Sequence, residues 1–353
     1  MKLSLPVVVS LLCFLLIGCV HNQKNFGSIP APKDFNGVIL IARDRNSESF
    51  SESYGFANQE IGSKFDSSTK SQIGSASKFL TSLVVIRLVE RGQLSLDKPI
   101  HAWLPFLDKS ENGQVTLRQL MSNTSGIPNG VMSSYKKDPV FTSKEISALE
   151  ASKLWGTGKL LFKPGTDFDY SLTNWVIVRA IIESATGKSF ETNLRDQLIA
   201  PLDLHDTGIP GPAFPEGPSF AQNYSSIQPL KTKQNKVPTY AAAAGTIYSS
   251  ASDLRKILDA VFSKDYLKAS SREELLKVNF EKEGYALGGR VVDLPGTTYK
   301  LLWEPGETSS YRTLVAYEPN SGACVILLNN TGISPDALAE TARSTMRSLL
   351  KAH

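Results

Sequence analysis

Cysteine is scarce in this chain: Cys13, Cys19 and Cys324 are the only three in 353 residues. So few, so widely spread, cannot form the disulfide framework of a small secreted domain. Histidine is almost as rare. His21 and His353 lie in the tails, and His101 and His205 fall in helix-end or loop contexts. None has the neighbours of a catalytic triad and no pair has metal-ligand spacing, so Ser-His-Asp chemistry and zinc hydrolysis both lack support. A Gly-x-Ser-x-Gly elbow is missing, as is a glycine-rich phosphate loop. Charge of either sign is not in excess, with 38 basic against 34 acidic residues and a net +4. No basic run is interleaved with aromatics, which argues against a nucleic-acid partner. What remains is an ordinary globular composition, 41% hydrophobic and 20% charged, with ample material for a large core.

The longest apolar run, Leu3 to Ile17, is shorter than a membrane span. Preceded by Lys2, it has the form of a signal-peptide core. It ends in Leu16-Ile17-Gly18-Cys19, which resembles the lipobox of bacterial lipoproteins. The resemblance implies cleavage before Cys19 and acylation of its thiol, so residues 1–18 are expected to be a lipoprotein signal peptide. Multiple acyl chains hold a protein stably in a leaflet. Residues 19–35, polar and carrying Pro30 and Pro32, are expected to be a tether. Val20 gives no aspartate-type inner-membrane retention signal. The expected location is therefore the bacterial cell envelope, on the outer membrane facing the periplasm.

Residues 36–353 read as one domain in two regions. Gly37 to Ala42 is a buried strand, followed by a turn and a second strand from Phe50 to Phe56. From Ser75 to about Lys268 the pattern is mostly helical, with clear helices at Phe79–Arg91, Leu117–Met121, Asn174–Ala185 and Ala251–Val261. Strands return at Gly288–Val292, Thr298–Trp303, Arg312–Tyr317 and Cys324–Leu328, before a closing amphipathic helix from Pro335 to Leu350. Strands at both ends of a helical middle predict an α+β fold: a central antiparallel sheet from 36–74 and 240–353, with a helical subdomain inserted at about 75–239.

Within that frame Gly74-Ser-Ala-Ser-Lys78 is the most informative stretch. It directly precedes the apolar run from Phe79 to Val89, a helix buried on nearly every face. Ser75 sits where such a helix begins, near free backbone N–H groups and the positive end of the dipole. Lys78, three positions on, emerges on the same face. An amine in so apolar a place is poorly hydrated when charged, and an amine beside a serine hydroxyl is a base attached to its nucleophile.

Other segments fall in order with it: Leu88-Val-Glu-Arg-Gly-Gln-Leu-Ser-Leu-Asp97, Val115-Thr-Leu-Arg-Gln-Leu-Met-Ser-Asn-Thr-Ser-Gly-Ile-Pro128, Lys163-Pro-Gly-Thr-Asp-Phe-Asp-Tyr-Ser171, Pro201-Leu-Asp-Leu-His-Asp-Thr207 and Ala244-Gly-Thr-Ile-Tyr-Ser-Ser-Ala-Ser-Asp-Leu254. Together they resemble the serine β-lactamase and penicillin-binding protein superfamily, in its class C β-lactamase, D-aminopeptidase and carboxylesterase branch. The resemblance covers nearly everything from Gly37 to Thr331 and implies a β-lactamase/transpeptidase-like fold. It assigns Ser75 as nucleophile, Lys78 as its lysine, and Tyr170 as the tyrosine facing them across the cleft. A phenol beside an amine makes a coupled pair able to take and return the serine proton. No metal or organic cofactor is implied.

The chain departs from that pattern twice. The second motif, Tyr-x-Asn, has Leu172 at its third position, which cannot make the asparagine's hydrogen bonds. Asn174, two residues on, is expected to be a helix N-cap. The third motif, Lys-Thr-Gly or His-x-Gly, is matched by Glu304-Pro305-Gly306. There Glu304 is expected to meet and repel a substrate carboxylate, Gly306 to allow close backbone approach, and the N–H groups of Ser75 and Glu307 to form the oxyanion hole. Trp303 and the Tyr-Ser-Leu string instead resemble the esterases. The expected activity is acyl transfer through Ser75 from a small-molecule or peptidoglycan-derived ester or amide, with poor fit to carboxylate-bearing penicillins, in a membrane-anchored monomer. The alternatives are a catalytically silent peptidoglycan-binding protein on the same fold, or a DD-peptidase or β-lactamase proper.

Overall fold

The computed structural model describes residues 29–351 apart from 139, 141–143, 228, 234–237 and 264. The expected signal peptide and lipid-bearing Cys19 lie outside these residues. Six strands form one antiparallel sheet: β1 (Gly37–Ala42), β2 (Phe50–Tyr54), β3 (Arg290–Asp293), β4 (Lys300–Thr308), β5 (Tyr311–Tyr317) and β6 (Cys324–Asn329), in the spatial order β2-β1-β6-β5-β4-β3. The chain thus builds the sheet from both ends, as the sequence pattern predicts. The central pairing of β1 with β6 joins residues about 290 apart, Gly37 opposite Asn329 and Ala42 opposite Cys324.

The sheet is covered on both faces, which is why its central strands read as unbroken apolar runs rather than alternating ones. Strand parity sorts their side chains. Val38, Leu40, Leu302, Val315, Ile326 and Leu328 face the large core shared with the helices. Ile39, Ile41, Trp303, Leu314, Val325 and Leu327 face a smaller core under the closing helix. At the edge, β2 alternates between half-buried and exposed residues.

Four helices matter for the site: α1 (Ser77–Glu90), α2 (Leu172–Thr186), α3 (Ala251–Phe262) and α4 (Pro335–Lys351). In α1, every residue from Ser77 to Ile86 is buried, along with Leu88, so it runs through the middle of the domain. Helix α4 buries only one stripe, Leu338, Thr341, Ala342, Met346, Leu349 and Leu350, against the outer face of the sheet. The helical middle is less uniform than its pattern implies, since a short hairpin, Tyr224–Ile227 with Leu230–Thr232, interrupts it. The segment expected as tether is already part of the folded body from Ile29 on. Ile29 and Phe35 are buried, and the Tyr54 hydroxyl donates to the Ile29 carbonyl at 2.8 Å.

Candidate active site

Ser75 lies in a single 3-10 turn, Gly74–Ala76, that leads directly into α1. Gly74 occupies the left-handed region at φ +53°, so the chain can turn sharply into the helix there. The turn is pressed against β4: a methyl group on Gly74 would stand 2.5 Å from the Glu307 amide nitrogen. On the strand, a methyl on Gly306 would overlap the Ile73 carbonyl oxygen. Two glycines thus let two backbones touch, and residues 75 and 307 both line the cleft where they meet.

Lys78 is in the first turn of α1 and 1% exposed. Its Nζ donates to Ser75 Oγ at 3.1 Å and to the Ala244 carbonyl at 2.6 Å. The Ala244 segment is stitched to α1 by two further bonds: Thr81 Oγ1 donates to the Ala243 carbonyl at 3.0 Å, and the Ile247 amide donates to Ser77 Oγ at 3.2 Å. The carbonyl that holds the lysine is therefore itself fixed. This contact lies 166 positions away in sequence; the Ala244-Gly-Thr string is the only sequence feature marking it.

Tyr170 precedes α2 and reaches the same cleft. Lys78 Nζ stands 4.9 Å from the centre of its ring. The loop carrying it is pinned by its backbone: Asn129 Nδ2 donates to the Tyr170 carbonyl at 3.1 Å, and the Asp169 amide to the Asn123 carbonyl at 3.0 Å. Behind it lies Tyr285, 1% exposed, with ring centres 6.3 Å apart and edge-on. Burial pushes the Tyr285 phenol well above its ordinary range, and the neighbouring Tyr170 and Glu304 push the same way.

The cleft has a volume of about 420 Å³ and is lined at the sheet by Trp303, Pro305, Gly306, Glu307, Arg312 and Leu314. Ser75, Tyr170 and the first turn of α4 complete its lining. Its cations are compensated: Arg312 pairs with Glu307 at 2.8 Å and Arg290 with Glu283 at 3.3 Å. Arg290 has no counterpart among the expected site residues, because nothing local in the sequence ties β3 to the cleft.

Three expected positions are placed differently. Glu304 does not line the cleft. It shares strand parity with Leu302, points into the helix-side core, and is 3% exposed. Burial drives its carboxyl well above the usual range, against the opposing influence of Arg290 and Lys78. A carboxyl turned into the core, its charged form disfavoured by burial, does not meet a substrate in the cleft, so the like-charge repulsion expected of it does not arise. Leu172 opens α2 and packs against two apolar clusters instead of facing the cleft. Asn174 is not an N-cap: α2 begins at Leu172, so residue 174 is already inside the first turn. Its buried amide joins Ser125 at 2.8 Å and Asn123 at 3.3 Å. His101 and His205 sit on Asp108 and Asp203, outside the cleft lining. Among the described residues no cluster of side chains suits a metal ion.

An antiparallel sheet with a helical insertion, and a serine–lysine pair where the two meet, define the β-lactamase/transpeptidase-like class of serine hydrolases. The comparisons agree: the sequence pattern named Beta-lactamase matches residues 23–346, and the chain belongs to that family of acyl-enzyme hydrolases. Among curated relatives, Protein flp of Staphylococcus aureus (strain MW2) is 28% identical over 192 residues, 53% of this chain and 36% of that protein. The chain thus spans little more than a third of that relative's length. Esterase EstB of Burkholderia gladioli is 26% identical over 291 residues, covering 71% of this chain and 73% of the esterase. Among solved structures, the penicillin binding protein from Bacillus halodurans superposes with a TM-score of 0.76 at 22% identity, covering 89% of this chain and 96% of that one. At that identity the likeness speaks for the fold alone.

Proposed function

We propose that this protein is an active serine hydrolase that cleaves an ester or amide through an acyl-enzyme on Ser75. The observation that carries the reading is the Lys78 amine, 3.1 Å from Ser75 Oγ and anchored behind by the Ala244 carbonyl. In the first half-reaction Oγ bonds to the substrate carbonyl carbon while its proton passes to the Lys78–Tyr170 pair. The backbone N–H groups of Ser75 and Glu307 stabilise the oxyanion. The intermediate collapses with loss of the alcohol or amine, which leaves with that proton. Water, deprotonated by the same pair, then releases the acid and regenerates the serine.

Ester substrates rank above carboxylate-bearing penicillins in this reading. Position 304 offers no cation, and Arg312 and Arg290 already carry carboxylate partners. The relationship to Esterase EstB points the same way. A fluorophosphonate probe tests the core of the proposal: it should label the wild type and not Ser75→Ala. Absence of label with fluorophosphonate and fluorescent penicillin alike would leave a silent binding protein. Turnover of p-nitrophenyl esters should exceed that of nitrocefin, and the reverse order would favour a β-lactamase proper. The enzyme is further proposed to act as a monomer anchored through Cys19 at the periplasmic face of the outer membrane, without metal or organic cofactor. Incorporation of labelled palmitate in the full-length chain, lost in Cys19→Ala, tests the anchor.

A further inference from the structure

The peptide groups on both sides of Tyr170 are held by one residue, Asn123. The Asp169 amide donates to the Asn123 main-chain carbonyl at 3.0 Å, and the Ser171 amide donates to its side-chain Oδ1 at 3.3 Å. Asn123 stands one place past Ser122, the C-cap of the short helix Leu117–Met121, in the left-handed region at φ +57°. Glycine is the usual residue there and takes that backbone without strain, so the helix end alone gives no reason for an asparagine side chain. That side chain is wholly buried and its amide can point only one way. Asn174 Nδ2, in the first turn of α2, donates to the same Oδ1 at 3.3 Å, and an amide nitrogen in that place would accept neither bond. Asn174 is itself oriented from the 123–127 loop: Ser125 Oγ donates to its Oδ1 at 2.8 Å, and the Ile127 amide donates to Ser125 Oγ at 3.0 Å. The third position of the second motif, Leu172, packs into apolar clusters and offers no polar group. A polar side chain reaches this stretch from the neighbouring loop instead.

We infer that Asn123 is a positioning residue for Tyr170: its side-chain oxygen, by holding the Ser171 amide, keeps the phenol where it can exchange a proton with Lys78 and Ser75. This rests on the reading of those three residues as the acyl-transfer group. Buried behind the Tyr170 backbone, Asn123 acts only through the tyrosine, whose ring centre lies 4.9 Å from Lys78 Nζ. Without Oδ1 the Ser171 amide and Asn174 Nδ2 both lose their acceptor, and the chain entering α2 keeps its tie to residue 123 on the Asp169 side alone. Proton transfer is sensitive to such slack, since a misplacement of about 1 Å costs on the order of a hundredfold in rate.

The test is Asn123→Gly. Glycine keeps φ +57° and the main-chain carbonyl, so the helix end and the Asp169 bond survive while the side-chain oxygen goes. Fluorophosphonate labelling of Ser75 should slow by about tenfold to a hundredfold. With a p-nitrophenyl ester, kcat should fall and KM should stay near the wild-type value. Tyr170→Phe, which removes the phenol oxygen, sets the floor: the double variant should label at the rate of Tyr170→Phe alone. A merely structural role would instead slow both backgrounds by the same factor. Asn123→Asp tolerates the same backbone and keeps an acceptor for the Ser171 amide, so it should recover most of the lost rate. Three results overturn the inference and leave the acyl-enzyme reading intact: a folded Asn123→Gly at the wild-type rate, its full slowing repeated on top of Tyr170→Phe, or Asn123→Asp as slow as Asn123→Gly. Tyr170→Phe at the wild-type rate takes the tyrosine out of the proton path and the inference with it. A wild type that never labels removes the acyl-enzyme reading itself. Should Asn123→Gly not fold, Asn123→Ala replaces it, since the strain of alanine at that φ falls on both tyrosine backgrounds and cancels between them.

Discussion

Gly74→Ala isolates the contact on which the proposed oxyanion hole depends. The added methyl would stand 2.5 Å from the Glu307 nitrogen and 2.7 Å from its carbonyl carbon. Ordinary contacts begin near 3.4 Å, so β4 must retreat from the Ser75 turn by about 0.9 Å, the difference between those two distances. A donor so displaced no longer meets the oxyanion, and loss of one such donor costs about 2.7–4 kcal/mol in the transition state, or ~10²–10³ in kcat. Two costs must be kept apart, because alanine at φ +53° is also strained by about 1–2 kcal/mol. Gly62 separates them: it has φ +69°, and its methyl would meet nothing within 4 Å. Gly62→Ala should lower the melting temperature by a similar strain and leave ester hydrolysis at the wild-type rate. Gly74→Ala should show the strain and the additional fall in kcat, measured with a p-nitrophenyl ester and by fluorophosphonate labelling. A folded Gly74→Ala protein with wild-type kcat would refute the backbone oxyanion hole.

Three further outcomes follow from groups buried elsewhere. Arg255 is 6% exposed and holds Asp259 at 2.6 Å and the Gly322 and Asp44 carbonyls at 2.7 Å each. Arg255→Leu strands these partners and should cost about 3–5 kcal/mol, read by thermal or guanidinium unfolding; a loss below about 1 kcal/mol would contradict the pairing. Cys324 is a free thiol, wholly buried, whose ionisation burial disfavours. Its peptide should carry iodoacetamide only after unfolding, as read by mass spectrometry, and labelling of the native state would place it wrongly. Glu304 should also govern stability against pH. Its folded-state affinity for the proton is raised above the ordinary 4.5, so from there upward the unfolded chain releases a proton that the folded one keeps. Wild type should therefore lose stability relative to Glu304→Gln as pH rises from 4 to 8, by about 1.4 kcal/mol for each unit of elevation. A gap independent of pH would mean that the folded carboxyl is ionised.

What the sequence reveals of this fold tracks how local the cause is. The run Gly37 to Ala42 is apolar on both faces because both faces of β1 are covered, and α1 is apolar all round because the domain closes over it. The Ser75–Lys78 pair is a matter of helical spacing, so it too is legible from residues three apart. Tyr170 needs the order of several motifs, since its approach to Lys78 depends on how the loops pack. Arg290 and Tyr285 are invisible in advance, being brought to the site by contacts between distant segments, and the Ala244 carbonyl is marked only by the Ala244-Gly-Thr string. Asn174 misleads for a smaller reason. Helix α2 starts at Leu172, behind an N-cap Ser171 whose side chain makes no capping bond, so the usual capping signal marks the wrong residue.

Glu304 shows why the third motif can change so far without dissolving the site. Side chains on a strand alternate, and Leu302, one pleat repeat back, is the apolar residue that fixes which face of β4 enters the core. Glu304 must follow it inward, whatever residue type stands there. Register, in turn, is set by the backbone: Gly306 opposite Thr313 and Glu307 opposite Arg312 hold β4 to β5, while Gly306 and Gly74 hold it to the Ser75 turn. None of those constraints involves the Glu304 side chain. The donors proposed for the oxyanion are likewise main-chain groups, which a substitution at 304 leaves where they are. A family cation can therefore be exchanged for an acid at the cost of burying that acid, and burial makes the neutral form the cheaper one. The consequence falls on protonation, not on geometry, and so it is the pH dependence of stability that should carry the mark of the substitution at 304.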